Sequence, residues 1–449
     1  MAGGRTLHPR LVEGEVRVVG KRWSPRVHQI KAFLSKSRAS YRWLDVDAEE
    51  DARALATRMG ADPDKSVVVL FPDGSYLVDP DVAAVATTLG LDVEPDSLVY
   101  DLIIVGGGPA GLSAAIYGAT DGLRTVVVER DLPGGQASYS GLIENYPGFP
   151  RGLSGSDLAS RTVEQAERFG VEILVTRNAT GLRGEGGHRL VALDNETELT
   201  SDAVILSIGV SFRWLDAPGC RPLVGAGIYY GAATAEATAC RDQEIYILGG
   251  GNSAGQAALL LAQYARRVVL VAIESSLEET MSAYLVQRIR RQDNIEVRLR
   301  STVVEAEGNG HLERLVIKNL ETGETERVPA QGLFVFIGAT PDTGWLGQAV
   351  RRDDQGFIYS GKDLRDDPVA MAEWQLERRP FDLETSMPGV FVAGDVRHGS
   401  VKRLAAAVGE GAEAVHYVHQ YLKEPRALEA AAGAADHSPR IPASIANRT

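Results

Sequence analysis

Three glycines near residue 106 have the spacing of a phosphate-binding loop. Gly106, Gly108 and Gly111 form the pattern Gly-x-Gly-x-x-Gly directly after the apolar run 102–105. The first glycine permits a tight turn, the second lets the backbone approach a pyrophosphate, and the third lets a helix pack closely on a strand. Because a helical stretch follows at 112–119, the phosphates would face the free N–H groups of a helix N-terminus. The spacing therefore predicts a dinucleotide site.

An acidic residue stands at the end of the next predicted strand. The apolar run 125–128 is followed by Glu129, 23 residues after the first glycine of the loop. A carboxylate at this position can accept hydrogen bonds from a ribose diol. We therefore predict that Glu129, its neighbour Arg130, and Pro109 and Ala110 inside the loop take part in binding the nucleotide.

A second loop of the same kind lies in the middle of the chain. Gly249, Gly251 and Ala254 form Gly-x-Gly-x-x-Ala between a predicted strand and a predicted helix, and Asn252 and Ser253 complete this loop. Two Rossmann-like units in one chain are typical of a reductase in which a nicotinamide nucleotide delivers hydride to a flavin. We therefore expect the second loop to bind NAD(P).

The acidic residue of the second unit bears on which nucleotide binds. Glu274 lies 25 residues after Gly249, close to the position of a ribose-binding acid. Its carboxylate would repel the 2′-phosphate of NADPH and could accept hydrogen bonds from the free diol of NADH. We expect NADH to be possible and NADPH to be less favoured. The alternative is a nucleotide fold that has lost its ligand.

Length, charge and cysteine content exclude several classes of protein. The chain of 449 residues is long enough for two or three domains, and its net charge of −13 argues against nucleic acid as a partner. It has no apolar stretch of membrane-spanning length, and its N-terminus lacks the apolar segment of a signal peptide. With only Cys220 and Cys240, a disulfide framework is excluded and a reducing cytoplasm is the expected location. No metal site is predicted.

The N-terminal part is predicted to be a separate small unit. Between residues 16 and 92 the predicted order of elements is βαβαββα, which resembles the thioredoxin and glutaredoxin fold. That family carries Cys-x-x-Cys before its first helix, whereas the matching positions here are Ser24, Pro25, Arg26 and Val27. A serine hydroxyl cannot replace a thiolate in disulfide exchange. We therefore expect a degenerate glutaredoxin/thioredoxin-like domain with a docking or structural role, after a flexible start at residues 1–15.

Further motifs extend the resemblance over most of the chain. A glycine-rich turn, an Asn-Tyr-Pro-Gly loop and a late glycine–aspartate pair follow the first fingerprint, at Gly134, Gly135 and Gln136, at Asn145, and at Gly394 and Asp395. With these motifs, residues of about 100–422 resemble the low-molecular-weight thioredoxin reductases. These are FAD-dependent members of the pyridine nucleotide-disulfide oxidoreductase family.

The resemblance implies a fold. It implies an α/β protein with two Rossmann-like domains, one for FAD and one for NAD(P), the second inserted in the first. The first part of the FAD-binding domain would span residues 97–215, the NAD(P)-binding-like domain 216–340, and the second FAD part 341–423. A disordered tail would follow at 424–449.

The resemblance also implies which residues hold FAD. Gln136 and Asn145 would serve the polar edges of the flavin ring, and Asp395 the ribityl or phosphate region. A helix beginning within residues 400–405 would direct its N–H groups at the pyrimidine edge. The other residues expected at the cofactor are Gly135, Gly209, Gly394, Lys402, Arg403, Leu404 and Ala405.

The redox motif of the resembling family is missing. Where relatives carry Cys-x-x-Cys, this chain has Gly-Ala-Ala-Thr at residues 231–234. Glu236, beside that position, is the candidate proton donor and thus the expected catalytic residue. Cys240 lies six residues past the second missing cysteine, and it could pair with Cys220 only if the fold brings the two together.

The resemblance strengthens the expectation for NADH. NADPH-using relatives end the second strand with His-Arg-Arg and place another arginine further on, and these side chains hold the 2′-phosphate. Here the same positions are Ala272, Ile273 and Glu274, and Glu278 stands at the later arginine position.

These observations predict a soluble FAD-dependent oxidoreductase. It would pass electrons from NADH, or another donor, through FAD directly to a small-molecule or protein acceptor that the sequence does not identify. Two alternatives stay open: an atypical thioredoxin-disulfide reductase that uses Cys240, and a non-enzymatic flavin redox sensor or interaction protein. The resemblance implies a homodimer, and neither nucleic acid nor a membrane is expected as a partner.

Overall fold

The structure, a computed structural model, describes residues 14–37, 39–140, 142–230 and 240–424. Within these residues it is an α/β protein with five β-sheets. The flexible start predicted at 1–15 and the tail predicted at 424–449 lie almost entirely outside the described residues, and Glu236 lies outside them as well. None of the described helices is long and apolar enough to cross a membrane.

The N-terminal unit has the predicted order βαβαββα. Its elements are β1 (Val16–Gly20), α1 (Pro25–Lys36), β2 (Tyr41–Asp45), α2 (Glu50–Arg58), β3 (Val68–Leu70), β4 (Tyr76–Val78) and α3 (Val82–Thr88). The strand order is β2-β1-β3-β4, with β1 parallel to β2 and antiparallel to β3. The Ser24 hydroxyl accepts a hydrogen bond from the Val27 N–H and so caps α1. The relation of this unit to the thioredoxin fold stays a prediction.

The largest sheet has seven strands from two distant parts of the chain. Its strands are β5 (Val99–Val105), β6 (Thr125–Val128), β7 (Glu172–Leu174), β8 (Ala179–Glu185), β9 (His188–Leu193), β10 (Glu198–Leu206) and β21 (Val390–Val392). They follow the order β7-β6-β5-β10-β9-β8, and β21 pairs in parallel with β10. Its helices are α4 (Pro109–Thr120), α5 (Gly155–Arg168) and α10 (Leu404–Leu422).

The second large sheet is formed by the chain between β10 and β21. Its five parallel strands are β12 (Ile228–Tyr230), β13 (Glu244–Leu248), β14 (Arg267–Val271), β15 (Ile295–Arg298) and β19 (Gly332–Val335), in the order β12-β19-β13-β14-β15. Its helices are α6 (Asn252–Leu261) and α7 (Ala283–Ile289). A three-stranded antiparallel sheet follows β15, made of β16 (Ser301–Glu307), β17 (Arg314–Asn319) and β18 (Thr325–Pro329). The second unit is therefore inserted in the first, as predicted.

The chain enters and leaves the inserted unit through a pair of very short strands. β11 (Ser211–Phe212) and β20 (Ala339–Thr340) pair antiparallel to each other. The Arg130 guanidinium donates to the Ser211 hydroxyl at 2.7 Å and lies 3.5 Å from the Asp342 carboxylate. The end of β6 is thus tied to both crossings.

The last helix begins near the end of the predicted range 400–405. Residues 400–403 are not helical, and α10 starts at Leu404 with Arg403 as its extended N-cap residue, at φ −138° and ψ 140°. In the loop before the helix, Lys402 turns back and donates to the Asp395 carbonyl at 2.5 Å. The irregular stretch 357–381 contains two short helices, α8 (Lys362–Arg365) and α9 (Pro368–Glu373).

Candidate functional site

The first fingerprint forms a tight loop between β5 and α4. Gly106 has a φ of +103°, and a Cβ atom there would lie 2.5 Å from the Ser207 carbonyl oxygen. A Cβ atom on Gly111 would lie 1.9 Å from the Gly106 carbonyl oxygen, so only glycine lets α4 begin this close to β5. At Gly108 the nearest atom to a Cβ would be the Gly135 Cα, at 3.9 Å. The loop therefore leaves room above Gly108 for a ligand.

Glu129 lies beside this loop with its carboxylate held by two backbone donors. Its Oε2 accepts a hydrogen bond from the Gly107 N–H at 2.6 Å, and its Oε1 accepts one from the Asp131 N–H at 2.9 Å. Burial raises the pKa of Glu129, and the two backbone donors work in the opposite direction. Since a carboxylate has about four acceptor positions, capacity remains for a ribose hydroxyl.

The glycine-rich turn predicted at the cofactor packs directly on the fingerprint loop. The Gly134 N–H donates to the Gly107 carbonyl at 2.8 Å. A Cβ atom on Gly135 would lie 3.1 Å from the Gly108 Cα, and Gly135 has a φ of +55°. The turn and the loop therefore form one surface of bare backbone that a ligand can approach closely.

The late glycine–aspartate pair reaches the same loop from a distant part of the chain. Gly394 has a φ of +80°, and a Cβ atom there would lie 2.9 Å from the Ala110 Cβ. Asp395 is half-buried, and no described residue donates a hydrogen bond to its carboxylate. Burial raises the pKa of Asp395, and Lys402 partly offsets this. A half-buried carboxylate without a donor fits a hydroxyl-rich ligand such as FAD.

The two basic residues before α10, which are expected at the cofactor, contact backbone carbonyls close to them in the chain. Lys402 holds the Asp395 carbonyl, and burial lowers the pKa of its ammonium group. The Arg403 guanidinium donates to the Lys402 carbonyl at 3.2 Å. Leu404 and Ala405 form the first turn of α10, whose free N–H groups are available near this loop.

Gln136 and Asn145 are placed differently from each other. The Gln136 amide donates to the Val210 carbonyl at 2.6 Å, next to Gly209, which has a φ of +61° and open space around it. Asn145 lies exposed, and no hydrogen bond among the described residues joins it to the loop. The structure therefore brings Gln136 next to Gly209, and among the described residues it shows no such contact for Asn145.

Two further side chains support the first site: Ser207, in the turn that ends at Gly209, and Glu410, which sequence reasoning missed. The Ser207 hydroxyl donates to the Gly106 carbonyl at 2.8 Å. Glu410 accepts a hydrogen bond from the Gly394 N–H at 2.7 Å and pairs with Arg397 at 2.5 Å. The one sequence signal for Glu410 is a charge on the otherwise apolar first half of α10.

The second fingerprint has the same backbone shape as the first. Gly249 has a φ of +140°, and a Cβ atom there would lie 2.4 Å from the Phe336 carbonyl oxygen. A Cβ atom on Gly251 would meet nothing within 4 Å, so this loop also has open space at its second glycine. Asn252 accepts a hydrogen bond from the Ser282 N–H at 2.7 Å, and Ala254 is buried against the sheet. No described hydrogen bond gives the Ser253 side chain a role.

Glu274 reaches under the second loop. Its Oε2 is buried and has no hydrogen-bond partner among the described residues. Its Oε1 is 3.4 Å from the Thr280 hydroxyl, which also donates to the Gly250 carbonyl at 3.0 Å. A buried carboxylate oxygen without a donor costs free energy, so this site is suited to a ligand that brings a hydroxyl.

Two arginines that follow Glu274 in the chain are already paired. Arg290 lies 2.6 Å from the Glu278 carboxylate, and Arg300 lies 2.8 Å from that of Glu321. A 2′-phosphate would have to compete with these carboxylates and approach Glu274 itself.

The two cysteines are buried and lie apart. Neither forms a disulfide, and their exposed fractions are 0% for Cys220 and 4% for Cys240. Cys220 belongs to the hydrophobic core that contains Tyr246 and Leu248, whereas Cys240 belongs to the one that contains Ile245. Because neighbouring residues of a strand point to opposite faces, the two thiols lie on opposite faces of the second sheet. Burial raises the pKa of Cys220 to about 11.

Comparison with known proteins places the chain in a family. Residues 100–411 match the family described as pyridine nucleotide-disulphide oxidoreductase. The chain belongs to this family, whose members use FAD and a pyridine nucleotide, and it is a thioredoxin reductase-like oxidoreductase.

Individual relatives support the same assignment. Thioredoxin reductase of Peptoclostridium acidaminophilum is 32% identical over 331 residues, which cover 72% of this chain and 98% of the relative. Thioredoxin reductase of Treponema pallidum is 32% identical over 324 residues, which cover 72% of this chain and 97% of the relative. The crystal structure of Lactococcus lactis thioredoxin reductase matches with a TM-score of 0.64 and 28% identity over 72% of this chain and 99% of that one. The predicted family and two-Rossmann fold are thereby confirmed.

Proposed function

We propose that this protein takes electrons from NADH and passes them through bound FAD directly to an acceptor outside the chain, without a dithiol of its own. The observation that carries the proposal is the buried Oε2 of Glu274, which lies beneath the second fingerprint loop without a hydrogen-bond donor among the described residues. The acceptor is a small molecule or a protein.

The first site is proposed to hold FAD. The open backbone at Gly108 and Gly135 would face the pyrophosphate, Glu129 would accept from the adenosine ribose, and Asp395 would accept from a ribityl hydroxyl. Gln136, held by a backbone carbonyl, would orient its amide oxygen toward a donor on the ring. FAD, when bound, supplies the hydride and electron chemistry, and the chain supplies position and electrostatics.

The remaining FAD residues are proposed on their placement. Gly106 and Gly111 shape the first loop, Gly209 and Gly394 border it, and Pro109 and Ala110 open α4. Lys402 and Arg403 position the loop before α10, and Leu404 and Ala405 present helix N–H groups. Arg130 and Asn145 are proposed on the resemblance alone, since the Arg130 guanidinium contacts Ser211 and Asp342 and Asn145 is exposed.

The second site is proposed to prefer NADH. Glu274 would accept from the 2′-hydroxyl of the adenosine ribose, in the way that Glu129 is proposed to act in the first site. Gly249, Gly251, Asn252, Ser253 and Ala254 would border the pyrophosphate. Two arginines that follow Glu274 in the chain are held by carboxylates, so a 2′-phosphate would have to break these pairs to gain a cationic partner from them.

The positions of the thiols support direct transfer to an external acceptor. Disulfide exchange needs two sulfur atoms within bonding distance, and Cys220 and Cys240 are separated by a sheet. This argues against the atypical disulfide reductase that would use Cys240. A role for Glu236 as proton donor remains a proposal, since it lies outside the described residues.

The domain boundaries, the cellular location and the oligomeric state are also proposals. The sheets support an FAD-binding domain in two parts, 97–215 and 341–423, around a nucleotide-binding domain at 216–340, with the separate unit 16–92 in front. The charge of −13 and the two buried thiols support a cytoplasmic location. A homodimer rests on the resemblance alone.

The test is anaerobic stopped-flow absorbance of the purified flavoprotein mixed with NADH and, separately, with NADPH. Rapid bleaching of the flavin band by NADH, with slow or no bleaching by NADPH, is expected. Faster bleaching by NADPH would contradict the role of Glu274. Bleaching by neither would remove the nicotinamide step and favour another donor or the redox sensor.

A further inference from the structure

Helix α1 of the N-terminal unit contacts both nucleotide-binding units. At its C-terminal end, the Lys36 ammonium donates to the Asp131 carboxylate at 2.6 Å and lies 4.3 Å from the centre of the Tyr139 ring. At its N-terminal end, Pro25 lies against the inserted unit, since a Cβ atom on Gly225 would be 3.2 Å from the Pro25 Cα. One helix therefore bridges the two units, which the short strands β11 and β20 also join.

The contact with the FAD-binding unit is built into a common core. Core residues of the N-terminal unit, such as Leu34 and Leu89, and core residues of the first large sheet, such as Leu102, belong to one hydrophobic cluster. The Lys36 side chain is 14% exposed. Burial opposes its charge, but Asp131 and Tyr139 outweigh this and raise the pKa of Lys36 above its ordinary value.

The linker between the two units is fixed as well. The Val175 N–H donates to the Asp92 carbonyl at 2.9 Å, and the Arg177 guanidinium donates to the Val93 carbonyl at 2.6 Å. Because core, ion pair and linker all hold it, the N-terminal unit moves as one body with the FAD-binding unit.

The contact with the inserted unit is of a different kind. Trp23 stacks on His311, with ring centroids 5.2 Å apart and planes at 14°, and the rings of His28 and Tyr229 are 5.1 Å apart. The hydrophobic cores of the N-terminal and inserted units form separate clusters. A few ring contacts without a shared core are far easier to break than the contact on the other side.

The inserted unit is attached in a way that permits reorientation. Its two chain crossings pair through only two residues each, in β11 and β20. Short crossings that can absorb changes in φ and ψ are the usual hinges of domain motion. Another direct tie is the ion pair of Arg288 and Glu144 at 2.6 Å, in which both side chains are partly exposed.

We propose that the N-terminal domain is a latch on the inserted unit. Fixed to the FAD-binding unit, it holds the inserted unit in one orientation through a latch surface formed by Trp23, Pro25 and His28. The partner of this surface is the chain's own Gly225, Tyr229 and His311. When the latch surface separates from these three residues, the inserted unit can turn about β11 and β20.

The latch surface and its partner lie close in the chain to the two segments that match the redox motifs of related proteins. Pro25 lies in the segment 24–27 that matches the redox motif of thioredoxin-like domains, and Tyr229 lies two residues before the segment 231–234 that matches the dithiol of the reductases. The described residues in or near these two segments, Pro25 with Gly225 and His28 with Tyr229, form a closed contact within one chain. An external thioredoxin-like partner would have to displace the latch to reach Tyr229.

The test measures the orientation of the inserted unit, and it needs no nucleotide. Spin labels are attached to Tyr117→Cys on α4 and Leu320→Cys on the inserted unit, both natively about half exposed, while the two native thiols are buried. Pulsed electron–electron double resonance measures the distance between the two labels. On the otherwise unchanged holoprotein it is expected to give one narrow distance distribution. Adding Trp23→Ala and His28→Ala is expected to broaden it or to add a second distance, with the flavin absorbance retained.

Arg26→Ala, on the same helix α1, is the matched control. Arg26→Ala removes a side chain that donates to the Asp79 carbonyl within the N-terminal unit, and it should leave the distribution narrow. A narrow, unshifted distribution in the Trp23→Ala/His28→Ala protein overturns the latch.

A second variant tests the contact directly. In Pro25→Cys/Gly225→Cys, made without the label sites, the Cβ atoms would be 3.5 Å apart, which is within the range for a disulfide, and the φ of +78° at Gly225 puts some strain on the new cysteine. Mild oxidation is expected to lower the thiol count in denaturant from four to two. A count that stays at four in a protein that keeps its flavin and its unfolding temperature contradicts the closed latch.

Discussion

A Cβ atom built on Gly250 would lie 2.2 Å from Oε2 of Glu274, so this carboxylate fills the space that the glycine leaves open. The first unit repeats the arrangement with Gly107 and Glu129, where the corresponding distance is 3.2 Å. There the Gly107 N–H donates to the carboxylate, whereas Oε2 of Glu274 has no donor among the described residues. The second acid is therefore the one with an unfilled hydrogen-bonding position.

We expect Glu274→Ala to weaken NADH binding without loss of FAD. A hydrogen bond to a charged acceptor contributes about 1.5–3 kcal/mol, which corresponds to a roughly 10- to 100-fold rise in the NADH concentration needed for half-maximal flavin reduction. NADPH should lose less, because the repulsion of its phosphate also disappears. Stopped-flow titration with each nucleotide measures both effects.

Glu324→Ala is the matched control for that substitution. It removes an exposed acid of the same type from the turn between β17 and β18, where its carboxylate accepts a hydrogen bond from the Thr322 hydroxyl. It should leave the response to NADH unchanged. Equal losses in the two variants would mean that overall charge, and not the ribose, explains the effect.

Gly108→Ala and Gly111→Ala should separate binding from folding. A Cβ at Gly108 meets no atom closer than 3.9 Å, so the protein should fold normally but bind FAD weakly, because the methyl group occupies the space for the pyrophosphate. A Cβ at Gly111 would lie 1.9 Å from a backbone oxygen, so this variant should lose about 3 kcal/mol or more of unfolding free energy. The flavin-to-protein absorbance ratio and urea unfolding of the apoproteins distinguish the two. A Gly108→Ala protein that retains full flavin would contradict the proposed site.

Asp395→Asn should stabilise the apoprotein and weaken FAD retention. Burial raises the pKa of Asp395, so its ionised form lowers the stability of the apoprotein at neutral pH. The gain from asparagine should be full at pH 7, should decline once the pH falls below the raised pKa of the folded protein, and should vanish only near the ordinary pKa of an aspartate, where the group is protonated in the unfolded chain as well. Thermal unfolding of both apoproteins from pH 4 to 8 measures this. A gain that does not change with pH would rule out the titration of Asp395 as its cause.

The native thiols should react very slowly with a disulfide reagent. With a pKa of about 11, about one Cys220 side chain in a thousand is ionised at pH 8, and the thiolate is the reactive form. Cys240 is buried as well. We expect no rapid thiol release from the native protein and two thiols per chain in denaturant. Tyr117→Cys, with an exposed thiol, is the positive control, and a rapidly reacting native pair would revive the disulfide reductase alternative.

Local patterns were sufficient for the two fingerprint units. The spacing of glycines, apolar runs and acids is short-range information, because a strand, a tight turn and a helix N-terminus are specified by adjacent residues. For α10 such patterns placed the start within 400–405 and could not give the exact residue. Residues 400–403 have no helix-breaking residue, yet in the structure they form a loop in which Lys402 contacts the Asp395 carbonyl.

Residue types at set spacings were enough to predict the family, the inserted order of the two Rossmann units and the missing dithiol. Three other relationships became visible only in the folded chain: Gly394 meets Ala110, the two thiols lie on opposite faces of a sheet, and α1 bridges two units. These are contacts between residues far apart in the chain. They depend on how whole elements pack, and no local spacing encodes that.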